Sequence, residues 1–592
     1  MSTPIEGPGP HRGGLGSDLQ FRWLGTVDYT ECWDLQRALF TGTSDHLLLC
    51  QHRPVFTLGR NGDASNLLVD PAKVGAEVHR VDRGGDVTFH GPGQLVGYPI
   101  VTLPGKRGGG MADTVAYVAS VEQLIIDVIA ELGLDAGRLR GWPGVWIDDD
   151  GSGRGPRKLA AVGVKVSRAR TMHGFALNID TDLSWFDKIV PCGISDKGVT
   201  SLAAEGVTTS MQEVVDLVAD RAGGHLAPGR RVARQDVAWR HRSTDLAPFS
   251  RRAGPDTPSG EHQPPVQDSA VIGRSTGSAR EGVSVRLSGR MDEAGVGDGR
   301  PISERKPPWM RVELRTDPTY RRLKQLSRHH ELSTVCEEAR CPNIFDCWNE
   351  GTATYMLLGD RCTRACGFCL VDTRRPLAVD GGEPARVARA VAELDLNYVV
   401  LTMVARDDLP DGGASLVART VEAIHADGNT GVEVLISDFA GSSDALTRIC
   451  SAQPEVLNHN IETVPRLQRA VRPSASYGRS LALLARAREQ AMTTKSGIIV
   501  GMGEEISEVR ETLVDLSSIG VEIVTVGQYL RPTTNHLPLH RWWTPEEFAE
   551  LKAFGEDELG IAHVEANPLT RSSHHAGRAA EVVIGAGDQP PG

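Results

Sequence analysis

Absent from the 592-residue sequence is any apolar run near the roughly 20 residues that span a bilayer; the most hydrophobic stretches, such as 121–132, are broken by acids. The opening MSTPIEGPGPHRGGLGSD also lacks the apolar core of a secretory signal. Both absences predict a cytoplasmic protein with no membrane partner. A basic excess is missing too: Lys+Arg 64 against Asp+Glu 76 gives a net charge of -12, which excludes a general nucleic-acid binder. Neither G-x-G-x-x-G nor a P-loop with its lysine occurs in the Gly-rich strings discussed below, so they indicate no phosphate cradle. The cysteines are not spread as a secreted disulfide framework would spread them. Six of the ten lie between Cys336 and Cys369, which points to metal, while Cys32, Cys50 and Cys450 read as core residues.

With 40% hydrophobic and 24% charged residues, a chain this long buries a sizeable core and is expected to form more than one domain. Residues 244–304 break the pattern, with one aromatic, Phe249, among abundant Gly, Pro and Ser. Such a segment cannot bury enough apolar surface to offset its ordering entropy, so it is predicted to be a disordered linker. The expected division is a disordered 1–20, a first domain over 21–243, the linker 244–304, a second domain over 305–580 and a tail over 581–592. A free tether of about 60 residues spans about 40–45 Å, enough to let one carrier visit both domains.

Strand-like runs at 46–50, 95–103, 159–166 and 171–179 surround one clear helix in the first domain. That helix has Asp113 as N-cap, an apolar face of Val115, Val118, Val121, Leu124, Val128 and Leu132, and Gly133 as its end. Mixed strands with few helices predict α+β. In the second domain, runs at 355–358, 398–403, 432–436, 456–458, 496–500 and 521–526 alternate with helical segments. Repeated βα units predict an α/β domain with a parallel sheet, whose functional groups sit at the C-terminal strand ends.

Cys362, Cys366 and Cys369 form a C-x3-C-x2-C array just after the first of these strands. On a helix the three would share a face and could be packing residues, but spread over about 10 Å along the axis. Gly359 and Gly367 favour a loop, which lets three soft thiolates converge on one iron–sulfur cluster or zinc. The second array, Cys336, Cys341 and Cys347, falls on no single helix face and alternates on no strand, so packing does not explain it. Structural zinc stays open there, with His574 or His575 as a distant fourth ligand.

The C-x3-C-x2-C array, with Phe368 before its last cysteine, resembles the signature of radical S-adenosylmethionine enzymes. Both arrays, and the strings GTATYMLLGDRCTRACGFC, VARDDLPDGGA, EVLISDF, HNIETVPRL, TKSGIIVGMGE and VGQYLRP, resemble lipoyl synthase over 306–577. The resemblance implies a partial (β/α)6 barrel, S-adenosylmethionine, and two 4Fe–4S clusters. One cluster would sit on Cys362, Cys366 and Cys369; the other, auxiliary and the sulfur source, on Cys336, Cys341, Cys347 and Ser573. Ser573 matches the second serine of the family's R-S-S-Y ending, and His574 stands where the family has tyrosine. The implied reaction inserts sulfur at C6 and C8 of a protein-bound octanoyl chain, with hydrogen abstracted by a radical and electrons from a donor such as ferredoxin or flavodoxin. The string DGGEP at 380–384 is read as a solvated loop.

In the first domain, RGGDVTFHGPGQ at 83–94 and RTMHGFALN at 170–178 would by themselves be Gly-rich turns, and His90 and His173 packed histidines. With RKLAAVGVKV around Lys158 and IVPCGISDKGVTSL around Cys192, they resemble lipoyl(octanoyl) transferases over about 21–223. The implied fold is that of biotin/lipoate protein ligases. Cys192 is implied as nucleophile and Lys158 as its partner, a lysine whose pKa near 10.4 burial would have to lower for it to act as a base. The octanoyl site is implied at Arg83, Gly84, Gly85, Asp86, Val87, Thr88, Phe89 and His90, at Ala161, Val162 and Gly163, and at Gly174, Phe175 and Ala176. The partners implied are octanoyl-acyl carrier protein, the lipoyl domains of 2-oxoacid dehydrogenase E2 subunits and the glycine cleavage H protein. Two alternatives remain for this domain: an ATP-dependent lipoate ligase, or an inactive module that docks lipoyl domains for the synthase.

Overall fold

The computed structural model describes residues 18–105, 112–149, 151, 153–190, 197–236, 285–297, 299–311, 321–322, 325, 332, 334, 343–349 and 352–587. Three of the predicted site residues, Cys192, Cys336 and Cys341, lie outside them. Among the described residues no helix is long and apolar enough to cross a membrane.

The first half is built on a mixed sheet. Its strands are β1 (Leu19–Thr26), β2 (Asp45–Gln51), β6 (Gln94–Ile100), β7 (Gly137–Leu139), β8 (Trp142–Ile147), β9 (Arg157–Ser167), β10 (Arg170–Asn178), β11 (Gly198–Val199) and β12 (Val232–Arg234). They run in the order β12-β1-β2-β6-β10-β9-β8-β7, with β11 on β9. A smaller sheet joins β3 (Val55–Leu58), β4 (Glu77–Arg80) and β5 (Val87–His90) in the order β4-β3-β5. Helices α2 (Thr114–Glu131) and α3 (Met211–Leu226) share one core cluster with the large sheet. Asp113 caps α2 by accepting from the Ala116 amide at 3.1 Å. The face of α2 that is buried, however, is Tyr117, Val121, Leu124, Ile125 and Val128, while Val115 is exposed. Leu19 is fully buried, so the ordered domain begins before residue 21.

Among the described residues the second half holds seven parallel strands in chain order: β13 (Thr352–Leu357), β14 (Tyr398–Met403), β15 (Gly431–Leu435), β16 (Val456–Asn458), β17 (Thr493–Val500), β18 (Ile523–Gln528) and β19 (His563–Asn567). The seventh was not anticipated, because HVEAN carries too few apolar residues to read as a buried strand. Between the strands run α6 (Glu383–Leu394), α7 (Ala414–Asp427), α8 (Ser443–Ser451), α10 (Tyr477–Glu489) and α11 (Ile506–Ser518). Their starts are written in the sequence: Ser442 and Ser476 accept from the amides three residues on, and Glu505 and Glu508 form a reciprocal capping box. The described residues end in α13 (Ala576–Gly587), so the tail expected from 581 instead starts inside a helix.

Two expectations about the connection need correction. Of the stretch 244–304, the described part carries helix α4 (Val285–Glu293), and Met291, Ala294 and Val296 are buried in a core they share with the second half. Average composition conceals these three well-spaced apolar residues. The halves are also not loosely tethered. Helix α1 (Tyr29–Thr41) of the first half packs along α10, and Leu24, Val27, Cys32, Leu35 and Leu39 share one buried cluster with Tyr477, Leu481, Leu484, Leu513 and Leu516. Arg22 pairs with Asp515 at 2.5 Å with both side chains buried, and Tyr477 donates to the same carboxylate at 2.8 Å. Breaking one partner of such a buried pair costs about 3–5 kcal/mol. An interface this apolar holds domains in one arrangement, whereas small polar ones let them move.

Candidate active sites

In the first half, β9 and β10 pair antiparallel with Ala161 opposite Ala176, Val162 opposite Phe175 and Gly163 opposite Gly174. The two three-residue strings singled out from sequence therefore face each other directly. The segment 83–85 crosses this hairpin: the Gly84 amide donates to the Val164 carbonyl at 3.0 Å, and a Cβ on Gly163 would lie 3.2 Å from both the Gly84 oxygen and Arg83. Glycine is needed there because backbone passes over backbone. Together with Arg83, Gly85, Thr88 and His90 these strings line one pocket. Arg83 is held from behind, donating to Thr57 at 2.8 and 2.9 Å and to the Gly84 carbonyl at 3.0 Å.

Asp86, Val87 and Phe89 are not among its lining residues, because β5 alternates. Thr88 and His90 share the pocket face, whereas Val87 and Phe89 pack with Phe56, and Phe89 stacks on Trp185 at 4.8 Å. Asp86 instead accepts from Asn66, Asp63 and Val87. A contiguous string of similarity does not reveal this division. Sequence reasoning also missed Tyr29, Val96 and Tyr98, which complete the wall and stand far from the matching strings. His173, a pocket residue with φ of 61°, bonds Asp82 at 2.8 Å; that bond, and one from Lys165, holds the Asp82 carboxyl well below the usual range.

Lys158 lies on β9, half-buried, with its Nζ 4.8 Å from the centroid of the Trp146 ring on the neighbouring strand. The adjacent Arg157 forms a forked pair with Glu205 at 2.5 and 2.6 Å, and Glu205 also accepts from Thr200 at 2.5 Å. Val199 of β11 pairs opposite Lys158, so the chain leaving the Cys192 segment is fastened beside this lysine. Cys32, Cys50 and Cys450 are buried core residues.

Burial around this pocket leaves an acid-sensitive signature. His52 is driven down to about 4 and His90 to about 3 by burial. In the unfolded chain both take a proton near 6.5. Their folded pKa values are depressed, so the stability they carry is present above pH 6.5 and is lost as pH falls toward 4. Around pH 5 the two together steepen the loss by about 2.7 kcal/mol per pH unit. Calorimetry of the first half's transition against pH should show this, and His52→Gln should flatten the slope by about one proton. An unchanged slope would place the acid sensitivity elsewhere.

In the second half, Cys362, Cys366 and Cys369 lie in the loop after β13, at the C-terminal edge of the parallel sheet. Backbone bonds fix this loop: Cys362 donates to Asp372, Gly367 to Val471 and Leu537 to Gly367, at 2.8, 2.8 and 2.9 Å. Arg364, between the first two cysteines, bridges Asp407 at 2.7 Å and the fully buried Asp438 at 2.6 Å. Burial pushes the Cys366 thiol up to about 11 and the Cys369 thiol up to about 12. Three soft sulfur donors on one short loop at the end of the sheet form a donor set that fits a cluster held by three cysteines.

Of the second array, Cys347 is described; it is buried in α5 (Ile344–Asn349). Asn343, just ahead of that helix, donates to the Leu569 carbonyl at 2.7 Å, which brings the helix to the turn preceding Ser573. Ser573 is half-buried, Ser572 bonds Asn458 and Asn460 at 3.0 and 2.9 Å, and His574 stacks on His575 at 3.8 Å. The start of α5, one turn ahead of Cys347, thus stands beside the turn that precedes Ser573.

Two features were not foreseen. Glu433 and Lys495 pair at 2.9 Å in a buried network with Asn458; their signal was a charged residue inside each of two apolar strand runs. Glu383, expected in a solvated loop, starts α6 and accepts from the Leu358 amide at 2.9 Å, tying that helix to the end of β13.

Comparison with known proteins agrees with this division. Residues 28–222 match the lipoyl protein ligase A/B catalytic domain, 292–341 the N-terminal domain of lipoyl synthase, and 356–516 the radical SAM superfamily. The chain is 55% identical to the lipoyl synthase of Symbiobacterium thermophilum over 277 residues, 46% of this chain and 86% of that protein. It is 53% identical to the lipoyl synthase of Mycobacterium ulcerans, over 46% of this chain and 85% of the relative. A solved bipartite lipoate protein ligase from Thermoplasma acidophilum matches at 18% identity and a TM-score of 0.31, over 37% of this chain and 88% of that one. The chain belongs to the lipoyl synthase family, radical S-adenosylmethionine enzymes that work with 4Fe–4S clusters, and carries ahead of that domain a catalytic domain of the lipoyl protein ligase A/B class.

Proposed function

We propose that this one chain carries out two consecutive steps of lipoyl-group assembly. The first half moves octanoyl from acyl carrier protein to a lysine of a lipoyl domain through a thioester on Cys192, and the second inserts sulfur at C6 and C8 of that octanoyl group. What supports the first step best is the gathering of strings 83–85, 161–163 and 174–176 around one pocket, on the strand that carries Lys158. The pocket has apolar walls of Val96, Ala161 and Phe175 and a neutral His90, so it suits an acyl chain. Lys158 Nζ takes the thiol proton of Cys192, and the thiolate attacks the donor thioester and releases the donor thiolate, which recovers a proton. A thioester exchanged for a thioester is nearly isoenergetic. The neutral amine of the carrier lysine then attacks, an amide forms, and the proton the amine loses passes to the departing Cys192 thiolate; exchange of a thioester for an amide drives the sequence forward.

In the second half we assign one cluster to Cys362, Cys366 and Cys369 and the auxiliary one to Cys336, Cys341, Cys347 and Ser573. Together they supply the reductive chemistry and the sulfur for unactivated C–H positions. The chain's own contribution there is to hold the cysteine loop, through Arg364 and its two aspartates, against the end of the barrel. Ferredoxin or flavodoxin would supply the electrons. The working domain limits are 21–243 and 305–580, extended by the described residues at 18–20, 285–297, 299–304 and 581–587.

The test adds the full chain to octanoyl-acyl carrier protein and an apo lipoyl domain without ATP. S-adenosylmethionine and a low-potential reductant follow, and the carrier mass is tracked. The expected order is octanoyl carrier, then carrier bearing two sulfurs. Transfer only when ATP and a free acid are supplied would make the first half a ligase; no transfer under either condition would make it a docking module.

A further inference from the structure

Helix α1 has two faces with different duties. Its inner face belongs to the acyl pocket: Tyr29 lines it and stacks over His90 at 6.1 Å, and Gln36 accepts the backbone N–H of His173 at 3.1 Å. His173 sits at φ 61°, a conformation that a non-glycine residue keeps only when its surroundings enforce it. Its outer face lies on α10 of the synthase half. There Glu31 accepts the Gly478 amide at 2.8 Å, and a Cβ on Gly478 would fall 2.5 Å from the Glu31 oxygen and 3.0 Å from the Leu35 nitrogen. At the far end of the helix, a Cβ on Gly42 would overlap the Ser518 carbonyl. Both contacts are backbone against backbone and leave α1 no slack.

We infer that the synthase half serves as the outer buttress of the acyl pocket, with Gly478, Glu31 and Gln36 as positioning residues for octanoyl transfer. A close-packed interior transmits displacement instead of absorbing it. Pushing α1 away from α10 therefore shifts Tyr29 and Gln36 and loosens the strand that carries His173 and Gly174. The fusion of two domains then does more than co-produce them: one domain backs the helix that carries part of the other's binding wall. The inference rests on the octanoyl-transfer reading.

The test uses the full chain with Gly478→Ala, compared with Val399→Ala, which opens a cavity in the synthase core away from α1. Gly478→Ala is expected to raise KM for octanoyl-acyl carrier protein at least about fivefold with kcat within twofold. It should also speed hydrogen exchange in β10 around His173 and leave S-adenosylmethionine cleavage unchanged. Val399→Ala should lower Tm without moving either transferase readout. Because Gly478→Ala could lose the fold, Arg22→Met, which leaves Asp515 buried without its partner, supplies a second perturbation of the same interface, expected to raise KM in the same sense. Unchanged KM and exchange in both interface variants, or an equal KM change in Val399→Ala, would overturn the inference. Absence of octanoyl transfer by the wild-type chain would instead remove the reading beneath it, and the inference with it.

Discussion

Cys192→Ala is expected to lower octanoyl transfer by at least about 10³-fold, with no octanoyl adduct on the protein, while sulfur insertion into an already octanoylated carrier proceeds at the wild-type rate. The split follows from the proposed division of labour: Cys192 belongs to the first half, and Cys362, Cys366 and Cys369 lie in another domain with its own core. Lys158→Met should cost about 10²–10⁴-fold in transfer, the usual range for a lost proton acceptor, and the loss should shrink at high pH, where the thiol ionises unaided. The measurement is octanoyl carrier by mass spectrometry, with the enzyme itself scanned for the adduct. Transfer by Cys192→Ala at the wild-type rate would rule out the covalent route.

The chemistry was easier to read than its setting. Cysteine spacing and local strings led to both halves, since thiolate arrays are dictated by the group they hold and not by packing. Strands β9 and β10 were also legible, because they are long and rich in apolar residues. Harder were elements defined by distant partners. Strand β19 is half polar, yet it closes the sheet by pairing with β18. Helix α4 lay hidden in a segment whose composition reads as disordered. The contact of α1 with α10 depends on residues separated by more than four hundred positions, such as Glu31 and Gly478, and no local pattern announces it. Within the pocket, the string 83–90 suggested eight lining residues, but the pleat of β5 turns Val87 and Phe89 away. Local similarity marks where a site is; strand geometry decides which side chains enter it.

The two cysteine arrays should separate cleanly. Replacing Cys362, Cys366 and Cys369 by alanine is expected to abolish S-adenosylmethionine cleavage and, with it, lipoyl formation. Replacing Cys336, Cys341 and Cys347 should spare part of the cleavage while lipoyl formation falls to background. Each set should also take about four irons with it, from about eight per fully loaded chain. Ser573→Ala adds a finer test, because His574 and His575 lie beside that serine with Glu565 within ligand distance. If the serine is the protein's fourth auxiliary ligand, Ser573→Ala should lose lipoyl formation while most cluster iron remains, since three thiolates still hold it. His574→Tyr should be tolerated, as it restores the residue found at that place in the family. Iron near zero with stoichiometric zinc in anaerobically purified chain would overturn both cluster assignments, since zinc cannot supply the electron that cleavage of a sulfonium needs.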